Sequence, residues 1–73
     1  MMTQDQAGWA VPLLNTYAYG YLGLSANDVS LIAGRKKGIW SLIVATAGET
    51  TEAADFDAAK EIIDRIHRDK KGN

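Results

Sequence analysis

An α+β fold, in which a helix is followed by a β-hairpin and a second helix, is predicted by three features of this chain. Two β-branched runs, Val29-Ser-Leu-Ile-Ala33 and Ile39-Trp-Ser-Leu-Ile-Val-Ala45, flank a basic loop bounded by glycines, Gly34-Arg-Lys-Lys-Gly38, which is the pattern of a hairpin. Behind them Phe56, Ala59, Ile62, Ile63 and Ile66 recur at helical spacing and form one apolar stripe. Ahead of them Ala10, Leu13, Leu14, Tyr17, Ala18 and Tyr21 fall at steps of three and four. The competing arrangement is a three- or four-stranded antiparallel sheet with a single C-terminal helix. It draws on Tyr17, Tyr19 and Tyr21, which would share one face of a strand.

Taken in order, residues 1–8 are polar, lack periodicity and are expected to be loosely ordered. Residues 12–24 can be helix or strand. Pro12 suits the first turn of a helix, where its missing N–H costs nothing, and Gly23 followed by Leu24 fits a left-handed C-terminal cap with a hydrophobic residue packing back. Against the helix stand Gly20, roughly 1 kcal/mol worse than Ala in a helix interior, and the tyrosines' preference for strands. The first hairpin strand alternates Val29, Leu31 and Ala33 on one side. The second is apolar on both faces, with Trp40, Leu42 and Val44 one way and Ile39, Ile43 and Ala45 the other, so it calls for cover on both sides. Residues 48–54 are a turn and either a short edge strand or a frayed first helical turn. The last helix begins near Asp55, with Asp55 or Asp57 as N-cap, carries Glu61–Arg65 and Asp64–Arg68 as i,i+4 pairs, and frays over residues 70–73.

With 73 residues the chain has room for one domain, residues 1–73, and a core of marginal size. Cysteine is absent, which excludes disulfides, thiolate metal sites and cysteine nucleophiles. Eight basic and nine acidic residues give a net charge of −1. The acids gather before the last helix and the bases at its end, as the helix dipole favours. The uncharged stretch from Gln6 to Asn27 is broken by Pro12 and three glycines and has no basic segment ahead of it. It reads as neither membrane span nor secretion signal, and the chain is expected to be soluble and cytoplasmic, with no membrane partner.

Chemistry-bearing patterns are sparse. His67 is the single histidine, and Ser25, Ser30 and Ser41 have no partner pattern around them, so no catalytic residue is assigned and no enzyme is expected. Glu61, Asp64 and His67 recur every three residues, which winds them around the helix; a salt-bridged face explains them better than a metal site, and neither metal nor cofactor is expected. The Gly34–Gly38 loop joins two strands instead of opening a helix, so it is no phosphate-binding loop. Its Arg35, Lys36 and Lys37, with Arg65, Arg68, Lys70 and Lys71 from the last helix, are the candidate contacts to a nucleic-acid backbone or an acidic partner.

The aromatics point elsewhere. Three tyrosines within five residues cannot all be buried by a helix, because Tyr19 lies about 160° from the midpoint of Tyr17 and Tyr21. Tyr17, Tyr19, Tyr21 and Trp9 are therefore the candidate partner-binding residues, with Tyr19 standing apart and first in line to meet the partner. The passage from Tyr21 to Gly34 resembles the helix-to-strand passage of YggU-type small proteins, whose N-terminal strands have no counterpart here. The hairpin-then-helix half resembles short phage and mobile-element domains, including arm-type DNA-binding modules of integrases. The expectation is a small non-enzymatic interaction module, an inhibitor or adaptor of phage or mobile-element type, acting on a protein partner through surface tyrosines. The doubly apolar second strand adds the expectation of a homodimer, and a nucleic-acid-binding module is the alternative.

Overall fold

The computed structural model describes residues 2–72. In chain order it runs α1 (Gln4–Asn15), a π-helical continuation (Thr16–Tyr21), β1 (Ser30–Lys36), β2 (Ile39–Ala45), β3 (Thr50–Ala53) and α2 (Phe56–Lys71). The strands form one antiparallel sheet in the order β1-β2-β3. Both helices lie on one face of it, α1 over β1 and β2, α2 over β2 and β3. The helix–hairpin–helix layout is thus the observed one, and residues 48–54 resolve as a turn followed by the short edge strand β3.

The core lies between these two layers. Leu31, Leu42, Val44 and Ala53 point up from the sheet, while Ala7, Ala10, Leu14 and Ala18 point down from the first helical segment and Ala59 and Ile63 from α2. Five of these are alanines, which let the helix axes approach the sheet closely; Leu14, Leu42 and Ile63 fill the space that remains.

The first helix starts eight residues before Pro12, at Gln4. Thr3 is its N-cap: Gln6 N–H donates to the Thr3 hydroxyl oxygen at 3.2 Å and Thr3 N–H donates to Gln6 Oε1 at 2.9 Å, a reciprocal capping box. Pro12 is consequently interior, not in the first turn. Past Asn15 the helix widens, with Leu22 N–H donating to the Tyr17 carbonyl at 2.9 Å, five residues back. Gly23, at φ 73°, ends it in the left-handed conformation; Leu24 N–H then donates to the Ala18 carbonyl and its side chain turns into the core.

The hairpin is tighter than its glycines suggested. Arg35 and Lys36 belong to β1, and only Lys37 and Gly38, at φ 54° and 81°, form the turn, a type I′ geometry whose twist matches the strands. Asp55 caps α2, accepting from Ala58 N–H at 2.8 Å, and Lys70 and Lys71 complete its last turn. The inner stripe of α2 is as expected, with Ala59 and Ile63 buried and Phe56, Ile62 and Ile66 flanking them.

The second face of β2 is uncovered within the protomer. Ile32 is 57% exposed and Ile39 is also exposed there, and Ile43 and Ala45 on the same face are half-buried. A Cβ at Gly34 would meet Ile43 Cδ1 at 2.6 Å, so the Ile43 side chain lies across that glycine and flattens the face.

Candidate functional site

The helical layer carries an aromatic stripe on its outer side. Trp9, Leu13, Tyr17 and Tyr21 follow one another at a spacing of four, so they stack along one line of the helix surface. Trp9 is 50%, Leu13 54% and Tyr21 80% exposed, while Ala10, Leu14 and Ala18 turn inward. The π-helical turn matters here. Each of its residues advances less than the ~100° of an α-helix, so residues four apart come closer to eclipsed. Tyr17 and Tyr21 accordingly stack with ring centroids 5.6 Å apart and planes 16° from parallel.

The stripe runs along the seam with α2, which fixes it at two points. Trp9 packs on Phe56 at 5.6 Å between centroids. The Tyr17 hydroxyl donates to Asp64 Oδ1, and Lys60 Nζ donates to Asp64 Oδ2 at 3.2 Å while lying 4.8 Å from the Tyr17 ring centroid. Partial burial works to raise the Asp64 pKa, but the hydrogen bonds from Tyr17 and Lys60 outweigh it and hold the carboxyl below its usual value. The hydrogen bond to Asp64 raises the Tyr17 pKa, and that carboxylate likewise raises Lys60. Asp64 therefore takes Lys60, four residues before it, in place of the expected Arg68, while Glu61 and Arg65 do approach to 3.9 Å. Where the stripe begins, a hollow of about 250 Å³ opens between Met2, Trp9 and Phe56, rimmed by Asp55 and Asp57.

Tyr19, expected to stand free, is 36% exposed, and its hydroxyl donates to the Val29 carbonyl at 2.7 Å. That bond ties the helix end to the start of the sheet and leaves Tyr21, stacked on Tyr17, as the most exposed of the three rings. The structure also separates the basic residues. Arg35, Lys36 and Lys37 sit at the hairpin tip, with the Arg35 guanidinium 5.9 Å from the Trp40 ring centroid. Arg65, Arg68, Lys70 and Lys71 lie toward the other end, where Lys70 Nζ bonds Asp28 Oδ2 at 2.7 Å. The molecule is 39 Å long, so the two clusters form no joint patch.

His67 lies beside the Leu22–Leu24 turn, Ser25 Oγ is bonded to Asp28, and Ser41 is buried in β2. Among the described residues no group of three or more His, Cys, Asp or Glu side chains could hold a metal ion, and no helix is long and apolar enough to cross a membrane. Lys60 joins the site without having been singled out from the sequence, which shows Leu13 only as a helix-stripe residue and Asp64 only as half of an ion pair with Arg68. The spacing 9-13-17-21 was there to find Leu13, but nothing local announces a contact between Tyr17 and a residue 47 positions away. No family model, curated protein or solved structure matches the chain.

Proposed function

We propose that this protein is a small non-enzymatic interaction module, of adaptor or inhibitor type, that grips a protein partner with the stripe Trp9, Leu13, Tyr17 and Tyr21. The observation that carries the reading is the exposure of Trp9, Leu13 and Tyr21 in one unbroken line. A line of bulky apolar side chains on a chain this short costs solubility unless something covers it, and tryptophan and tyrosine are the residues on which binding energy concentrates. Leu13, and Tyr21 apart from its stack on Tyr17, bear little on the chain's own packing, which makes them clean probes. Affinity capture from the native host, comparing wild type with Leu13→Glu and Tyr21→Ala, tests it. A partner held by wild type should bind at least thirtyfold more weakly to Tyr21→Ala, the effect of ~2 kcal/mol at an interface centre, with the melting temperature unchanged. Equal retention by both variants overturns the proposal.

A further inference from the structure

Among the described residues nothing pairs with the outer edge of β1, and we infer that this edge is the seam of a two-fold dimer in which β1 pairs antiparallel with β1 of a second copy, centred on Ala33. The two-residue turn fixes which backbone groups are free. A type I′ turn closes with a hydrogen-bonded pair between Lys36 and Ile39, so Lys36, Gly34, Ile32 and Ser30 bond across to β2. Leu31, Ala33 and Arg35 then aim both N–H and C=O away from the sheet. Val29 is in the same phase, and its carbonyl is the one that accepts from Tyr19, as an outward-facing carbonyl should.

Tyr19 thereby closes the edge at Val29, and the open part is β1 itself, whose middle residue is Ala33. Neither face shields it: Ala33 is on the face that carries the helical layer, yet it is exposed. The stretch from Leu31 to Gly34 carries no charge, proline or bulge, the devices that normally keep a strand edge from pairing.

A second copy fits this edge because the segment is complementary to itself. With Ala33 against the partner's Ala33, Leu31 meets the partner's Arg35 and the reverse, giving about six backbone hydrogen bonds. On the outer face Ile32 falls beside the partner's Gly34 and meets the partner's Ile43, whose side chain lies across that glycine. The basic tips end up roughly 20 Å apart at ~3.4 Å per residue, well beyond the ~8 Å screening length. Each tip lies instead by the partner's Asp28 turn, whose carboxylate is already paired with Lys70 of its own chain, so charge adds nothing to the pairing. The contact is smaller than a standard interface of ~1,200 Å² or more, so a weak, concentration-dependent dimer is expected.

Two measurements on the purified chain test the inference. Sedimentation from about 10 µM to 1 mM should show the mass rising from one chain toward two, and a constant monomer mass at 1 mM overturns it. Because the chain has no cysteine, single substitutions report the register. Under mild oxidation Ala33→Cys should cross-link at least tenfold faster than Arg35→Cys, since only position 33 meets itself across the axis at disulfide distance. Equal rates at the two positions overturn the pairing even if a dimer forms. Ala33→Lys, which sets like charges face to face, should abolish the dimer without changing the melting temperature of dilute protein; a dimer that survives it overturns the proposal. Tyr21→Ala should dimerise as wild type does, so failure here is separable from failure of the stripe as a partner site.

Discussion

At the scale of single residues, Lys37 is the point of local strain. It is the one non-glycine described residue with positive φ, held there by the I′ turn that its neighbour Gly38 completes. Asparagine tolerates that conformation better, so Lys37→Asn should stabilise the fold by ~1 kcal/mol and raise the thermal midpoint by about 4–8 °C. The Tyr17, Lys60 and Asp64 cluster sets the pH limits. The folded pKa values of Asp64 and Asp28 lie below their unfolded ones. Their contribution is present above about pH 4 and is lost as pH falls through the folded values. Tyr17 and Lys60 are raised, so their contribution is complete below about pH 10 and lost as pH climbs through the folded values. Thermal midpoints should therefore plateau between these limits and fall on both sides. Tyr17→Phe should lower the plateau and shrink the alkaline loss; an unchanged alkaline limb would show that the tyrosine takes no part in it.

Elements differ in how much of them the sequence discloses. The hairpin and α2 were legible because period-two and period-3.6 patterns were bounded by glycines and by an aspartate cap. The start of α1 was hidden, because residues 4–8 show no apolar stripe and only the Thr3–Gln6 capping pair marks the entry. The stripe of six predicted for this helix divides by position: Ala10, Leu14 and Ala18 go under, where the helix sits close to the sheet, and Leu13, Tyr17 and Tyr21 lie toward the outer side. The π-helical turn had no legible signal, since no residue type dictates a bond five residues back. Two glycines probe these elements. Gly23→Ala, at φ 73° in open space, should cost ~1 kcal/mol in urea unfolding. Gly34→Ala should destabilise less when Ile43 is already valine, because the atom its Cβ would strike, Ile43 Cδ1, is then gone; purely additive effects would show that Ile43 swings aside freely.

For the molecule as a whole, the limiting quantity is the core. A chain of this length is expected to be stable by only ~4–11 kcal/mol, and Leu42 is fully buried at the centre of the middle strand. Leu42→Ala should cost ~2–5 kcal/mol and leave a substantial unfolded fraction at 37 °C, visible as lost helical circular dichroism. Loss of under ~1 kcal/mol would mean that the layers collapse onto the gap. The charges and the apolar stripe are distributed differently over the molecule. The basic residues are spent on the turn, on the helix end and on Asp28, at opposite ends of a 39 Å body, whereas the apolar stripe is continuous.

The π-helical turn gives that stripe an unusual sensitivity to chain length. A bond from Leu22 to Tyr17 encloses one residue more than an ordinary helical turn. Shortening the segment by one, at Gly20, would let the helix close in α geometry and slide Tyr21 into the next position around the axis. The tyrosine ladder would then come apart with every side chain chemically intact. Two chains differing only in that residue would thus present different surfaces from nearly the same letters, and the difference would be written as a gap, where a comparison of substitutions would miss it.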